Sequence, residues 1–192
     1  MKIDAVGVLD GYRNILGWLS YDEAIALQSL TCTVSGLRGD IVEVGSYCGK
    51  STVAIAQALK QGCSGVLYTV DHHKDNVELH GVDSFAELES NIEKYNMREF
   101  VKRLTMMSKE AVEMFSCDSV KMLFIDGAHD YESVKEDFEL WSKKIVKHGF
   151  VAFHDSQEDG VSKVINEIYD EMKDKWQSVM QVGSLITFKK LY

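Results

Sequence analysis

The chain has 192 residues, 45% hydrophobic and 27% charged, which suits one globular domain with a substantial core and is short for two typical ones. A net charge of −9 argues against a nucleic-acid backbone as the main partner, since that binding rests on clustered Lys and Arg; pairs such as Lys102–Arg103 and Lys143–Lys144 read as solvated faces. No run of about 18 apolar residues marks a membrane span, and a start with Asp4, Asp10 and Arg13 among short apolar pieces lacks the layout of a secretory signal.

Residues 22–34 read as a capped helix, with Ser20 as N-cap and Glu23 three residues later as its capping-box partner. A strand is expected over 40–46 and a helix, apolar on most sides, over 50–60. A strand over 65–71 precedes a helix over 83–96, which sets Phe85, Leu88, Ile92 and Tyr95 on one face. Next come a strand over 101–107, a short helix over 109–115 and a strand over 120–126. The stripe Tyr131, Val134, Phe138, Trp141 and Ile145 predicts a helix over 131–145, followed by a strand over 149–154. Val161, Val164, Ile168 and Met172 mark a helix over 161–172. Two last strands, 176–182 and 185–190, are separated only by Gly183 and Ser184.

Strands alternating with helices imply right-handed βαβ units, hence a parallel sheet covered on both faces. Apolar strands such as FIDG and VAFHD suit burial on both sides. The last two strands have too short a link for a crossover and should form an antiparallel hairpin. Cys32, Cys48, Cys63 and Cys117 show neither a CxxC pair nor metal-knuckle spacing, so reduced thiols in a cytoplasmic protein are expected.

In open α/β sheets ligands bind beyond the carboxyl ends of the strands, so those ends carry the chemistry. The first reads Glu43-Val44-Gly45-Ser46-Tyr47-Cys48-Gly49-Lys50-Ser51. Gly45 lets the chain turn sharply, and Gly49 opens a helix whose free N–H groups face the same space. A P-loop needs four residues between Gly and Gly-Lys-Ser, and three are present; the spacing also misses GxGxxG. Glu43 would repel a triphosphate and attract an amino group. Asp71 ends the second strand, about 25 residues after the turn, where a carboxylate can accept two ribose hydroxyls. His72 beside it can line a base. Ser108 follows the third strand and can cap the next helix. Asp126 ends the fourth strand and His154-Asp155 the fifth. Two carboxylates and an imidazole suffice to hold a divalent cation with positions open for substrate oxygens.

The ExGxxxGKS string after a strand resembles motif I of class I methyltransferases, with Tyr47 where the broader ExGxGxG pattern has its middle glycine. Glu-Val-Gly-Ser-Tyr-Cys-Gly is similar to the loop of catechol O-methyltransferase. The GWLS…EA lead-in and IVEVGSYCGKSTVAIAQAL resemble small bacterial enzymes near the macrolide-sugar O-methyltransferases. The resemblance covers residues 17–156. It implies a single Rossmann-like domain over 1–192, with an N-terminal helical extension (1–39) and a catalytic core (40–192). The implied sheet has seven strands, five parallel plus a C-terminal antiparallel hairpin, with helices on both faces.

It also implies S-adenosylmethionine as cofactor, held by Glu43, Gly45, Ser46, Tyr47, Gly49, Ser51, Asp71, His72, Ser108 and Asp126. Glu43 would lie near the methionine amino group, Asp71 on the ribose and Ser108 beside the adenine. Those relatives carry acidic or amide metal ligands at the fourth and fifth strand ends, with a base three residues past the first. Here the ligands are Asp126, His154 and Asp155, with magnesium as the expected ion, and the base is His129. His154 departs from the pattern, because the relatives place a carboxylate there.

The expectation is therefore a metal-assisted O-methyltransferase acting on a small hydroxylated metabolite, sugar or phenol, without nucleic-acid or membrane partners. Residues 1–39 and the polar loop 72–83 would wall the acceptor site, and a homodimer completing the pocket fits so small a roof. Two other readings stand beside it: a protein that binds S-adenosylmethionine without transfer, and an ATPase using GKS and FIDG.

Overall fold

Short runs of β-branched and aromatic residues form the parallel half of the sheet: β1 (Asp40–Val44), β2 (Leu67–Val70), β3 (Val101–Leu104), β4 (Val120–Ile125) and β5 (Ile145–Phe153). The computed structural model describes residues 11–74 and 81–192. Helices α1 (Tyr21–Thr33), α2 (Lys50–Lys60), α3 (Ser84–Lys94), α4 (Ser108–Ala111), α5 (Tyr131–Trp141) and α6 (Asp159–Glu171) flank the strands. The strands pair in the order β3-β2-β1-β4-β5-β7-β6, where β6 is Trp176–Val182 and β7 is Leu185–Lys190. β1 to β5 run parallel, whereas β7 pairs antiparallel with both β5 and β6, closing the expected hairpin.

The sheet separates two cores. On one face Ile41, Leu67 and Phe124 pack under Leu27 of α1, Ile55 of α2 and Leu88 of α3. On the other, Leu123, Val151 and Phe153 pack against Phe138 and Trp141 of α5 and Val164 of α6. All six residues of β4 are buried, as a central strand covered on both faces requires. Each large apolar side chain removed from water there contributes about 1.5–3 kcal/mol.

The expected helix 131–145 stops at Trp141, and Ile145 opens β5 instead. The helical stripe runs through Ile145 by coincidence of spacing. Lys144 turns the chain: its N–H donates to the Trp141 carbonyl at 2.8 Å, and its carbonyl accepts from Ser119 and Val120. Ile145 is thereby set opposite Val120, and the strand is then irregular through His148, which has φ 68°. The short helix also starts earlier than its pattern suggested, at Ser108, and continues as a 3-10 turn over Val112–Met114.

Strand order reverses between β1 and β4. The crevice beyond their carboxyl ends is where such a sheet holds a ligand.

Candidate active site

The β1–α2 turn is shaped by three left-handed residues, Gly45, Tyr47 and Gly49, and by a carboxylate. Gly45 has φ 87°, and a Cβ there would collide with the backbone of Asp126 and Gly127. The glycine thus lets the ends of β1 and β4 touch; the close approach is to protein backbone. Tyr47 has φ 44°, a region that costs a side-chain-bearing residue roughly 1–2 kcal/mol and explains why glycine suits this position. Asp71 holds the strained turn: its Oδ2 accepts the N–H groups of Ser46 at 3.1 Å and Tyr47 at 2.9 Å. Its Oδ1 accepts the N–H of His73 at 2.8 Å.

Glu43 lies elsewhere than the sequence suggested. It is fully buried, and both oxygens are taken, one by the Ser51 hydroxyl and the other by Thr52 Oγ1 at 2.6 Å. It fastens the first turn of α2 to β1 and is not among the residues lining the adjacent cavity. Burial pushes its carboxyl up to about 8, against the pull of the two hydroxyls. Lys50, the lysine of the rejected P-loop, donates to the Gly17 carbonyl at 2.9 Å and is likewise absent from the cavity wall. Gly49 caps α2 with φ 85°, behind that wall.

A cavity of about 760 Å³ lies over the switch point. Gly45, Ser46, Tyr47 and Ser51 form its β1 side, and Asp71 and His72 its β2 side. Met106, Met107 and Ser108 line the end beyond β3. His72 Nδ1 accepts the N–H of Lys74 at 3.1 Å, whereas His73 turns inward to Ser84 Oγ at 2.8 Å. Ser108 is the first residue of α4, with Met107 as N-cap, and its hydroxyl accepts from Trp141 Nε1 at 2.8 Å. The expected wall 72–83 includes residues 75–80, which lie outside the described residues, as do residues 1–10 of the N-terminal extension.

The opposite end gathers the remaining candidates. His154 Nδ1 lies 3.0 Å from Asp126 Oδ1 and 3.2 Å from Asp155 Oδ2, and the same Asp155 oxygen lies 3.2 Å from His129 Nε2. His154 Nε2 lies 3.4 Å from Glu23 Oε2 of α1. Burial works against a charge on His154, yet the Asp126 hydrogen bond and the surrounding carboxylates raise its pKa to about 9. Burial holds the Asp126 carboxyl above its usual range while His154 pulls the other way. Asp155 has φ 49°, a sparsely populated left-handed conformation that aspartate adopts more readily than most side-chain-bearing residues. Gly160, in the first turn of α6, presses on the His129–Tyr131 backbone so closely that a Cβ there would collide with the His129 carbonyl.

Asp126, His154 and Asp155 each offer a donor atom, and the three lie within 4.8 Å of one another. Neighbouring ligands on a dication with bonds of about 2.1 Å stand roughly 3 Å apart, so the 3.0 and 3.2 Å separations fit such an ion. The imidazole suits a transition dication better than magnesium, which favours an all-oxygen set.

With this geometry in view, residues 42–156, more than half of the chain, match the family model described as a methyltransferase domain. The chain belongs to that methyltransferase family. A curated relative, the uncharacterized protein y4gI of Sinorhizobium fredii, is 29% identical over 120 residues, covering 61% of this chain. The match spans only 13% of that relative's length. Among solved structures, the O-methyltransferase TomG of Streptomyces achromogenes, in complex with SAM, superposes with TM-score 0.69 at 15% identity, covering 91% of this chain and 81% of TomG. The O-methyltransferase of Bacillus cereus, in complex with SAH, gives TM-score 0.68 at 19% identity, covering 94% and 86%. At such identities the likeness is one of fold.

Several residues in or behind the cavity wall of the methyltransferase domain were not legible in the sequence as site residues. Asp137 sits on the buried side of α5 near Val134 and Trp141, and burial pushes its carboxyl up to about 6, against a hydrogen bond with Ser108. An acid three residues after Val134 falls on the apolar face, and that was its signal. Trp18 forms part of the rim, its ring 5.3 Å from that of Tyr47. Glu23 was legible only as a cap. The cap is present: Ser20 Oγ accepts the Glu23 N–H, and Glu23 accepts the Ser20 N–H.

Proposed function

We propose that the chain is an S-adenosylmethionine-dependent O-methyltransferase that methylates a small hydroxylated molecule with a dication bound at Asp126, His154 and Asp155. The observation that carries this reading is one continuous cavity. Its wall holds Asp71 and the Gly45–Tyr47 turn together with Asp126, His129 and Asp155.

S-adenosylmethionine supplies a methyl group on a sulfonium centre, which an oxygen nucleophile can attack in line. Ser46, Tyr47 and Asp71 form the wall for its methionine and ribose parts. Asp71 spends three of about four lone-pair positions on backbone N–H groups, leaving little capacity for a further donor. Met106, Met107 and Ser108 face the adenine. A bound dication contributes charge that lowers the pKa of an acceptor hydroxyl.

His129 takes the hydroxyl proton. With its Nε2 hydrogen donated to Asp155, the neutral ring keeps its Nδ1 lone pair for that proton. As the acceptor oxygen bonds to the methyl carbon, the carbon–sulfur bond breaks and S-adenosylhomocysteine leaves. Holding both reactants in line is the larger part of the catalysis. The cavity admits a small acceptor, and Trp18 over Tyr47 gives its mouth an aromatic edge.

The test is production of S-adenosylhomocysteine from S-adenosylmethionine with a panel of phenols, catechols and sugars, with and without chelator. Acceptor-dependent product that chelation abolishes is expected. Product formed equally after exhaustive chelation removes the dication from the reading. Transfer only to amine or carbon acceptors removes the oxygen specificity.

A further inference from the structure

Glu23 and Ser184 lie outside the stretch that matches the methyltransferase family, yet both bear on His154. Glu23 Oε2 accepts the N–H of Ser20 at 2.9 Å, while Oε1 accepts both the N–H of Ser184 at 2.7 Å and its hydroxyl at 2.8 Å. The carboxylate is thus fastened to α1 on one side and to the β6–β7 turn on the other, and its side chain is 5% exposed. It cannot swing away, and it faces His154 Nε2 at 3.4 Å.

We propose that Glu23 is a positioning residue of the cation site, fixing the His154 hydrogen on Nε2 so that the Nδ1 lone pair points at Asp126 and Asp155. The inference rests on the reading of those three residues as a dication site.

An ionised carboxylate only accepts hydrogen bonds, so the nitrogen facing it carries the hydrogen. In the neutral ring the other nitrogen is then an acceptor. It stands 3.0 Å from one carboxylate oxygen and 3.2 Å from another. Either a hydrogen or a cation must lie among these three atoms: without a cation an Nδ1 hydrogen fills the gap, and a bound cation takes its place while Glu23 keeps the hydrogen on Nε2. Without Glu23 the ring is free to move its hydrogen to Nδ1 and donate it to Asp126, which withdraws the lone pair from the site. Ring orientation by a carboxylate on the far nitrogen is a general device of metal-binding histidines, and its loss typically costs 10–100-fold in affinity. The anchoring from α1 and from Ser184 gives the N-terminal helix and the C-terminal hairpin a role in the site.

The experiment is calorimetric titration of the full chain with Mn²⁺, alongside titration with S-adenosylhomocysteine. The wild type should bind one Mn²⁺ at this site. Glu23→Gln should bind it 10–100-fold more weakly while keeping S-adenosylhomocysteine affinity within about twofold. Ser20→Ala, which removes the cap hydroxyl and leaves the carboxylate, should bind Mn²⁺ like the wild type. Unchanged Mn²⁺ affinity in Glu23→Gln overturns the role of Glu23 and leaves the dication reading standing. No Mn²⁺ binding by the wild type removes both. Nitrogen NMR of the wild-type histidines with Zn²⁺ needs no variant: Nδ1 ligation with hydrogen on Nε2 supports the inference, and Nε2 ligation overturns it.

Discussion

His154 Nδ1 and Asp126 Oδ1 lie 3.0 Å apart, joining the ends of two neighbouring parallel strands at one polar contact. His129 reaches the same cluster through Asp155. The proposed dication ligands and proton acceptor therefore share one carboxylate, and the next expectations concern them.

His129→Ala should slow methyl transfer by roughly 10²–10⁴-fold, the range ordinarily contributed by a positioned base. S-adenosylhomocysteine affinity should stay within about twofold, because His129 follows β4, two strands away in the sheet from Asp71 at the end of β2. Single-turnover assays on any accepted substrate provide the comparison, and wild-type rates in the variant exclude His129 as the base.

Asp71→Asn should weaken S-adenosylhomocysteine binding at least about tenfold and lower the melting temperature. If the amide nitrogen takes the Oδ2 position, it faces the N–H groups of Ser46 and Tyr47, donor against donor. If it takes the other, it faces the N–H of His73. Either orientation leaves a donor unpaired, at a cost of about 1–3 kcal/mol. Thermal melts and calorimetry measure both effects, and a variant melting like the wild type contradicts the clamp.

Gly160→Ala should destabilise the protein by about 1–3 kcal/mol, the usual cost of forcing extra atoms into a packed contact. Because the added carbon meets the His129 backbone, activity should fall more than cofactor affinity. Denaturant unfolding together with transfer assays reads this; an unperturbed, fully active variant removes the contact.

The cation-free protein should lose stability as pH rises from about 6.5 to 9. Folding raises the Glu43 carboxyl from 4.5 to about 8 by burial, and raises His154 from 6.5 to about 9 through its carboxylate neighbours, against burial. The folded state then holds protons that the unfolded chain releases. The Glu43 contribution is complete below pH 4.5 and lost through about 8; the His154 contribution is complete below 6.5 and lost through about 9. Glu23 acts oppositely: burial pushes it up, but its hydrogen bonds with Ser20 and Ser184 prevail and hold it at about 2, so its contribution is present above 4.5 and lost as pH falls through 2. Melts in chelator across this range should show the alkaline decline, and Glu43→Gln should flatten it. A melting temperature that climbs from pH 6.5 to 9 contradicts the assignment.

The sheet was legible because its strands are apolar runs punctuated by helices of clear period, and the Gly183–Ser184 link allowed nothing but a hairpin. The start of β5 was not legible: Ile145 continues a helical stripe, and only the pairing of Val120 with the Lys144 turn reveals the strand. Strand ends named the acids of the site, since position along a parallel strand dictates which residues reach the crevice. What each acid does there depends on partners remote in sequence. Glu43 is consumed by the hydroxyls of Ser51 and Thr52 in the first turn of α2, and Asp71 by the strained turn at Tyr47. Glu23 meets His154 across 131 positions, a contact that no local pattern encodes.

The most direct test of the central claim is calorimetric titration of the full chain with S-adenosylhomocysteine and, separately, with ATP and Mg²⁺. One S-adenosylhomocysteine site per chain is expected, displaced by S-adenosylmethionine and weakened by Asp71→Asn, with no heat from ATP. Binding of ATP in place of S-adenosylhomocysteine, or of neither, contradicts that claim.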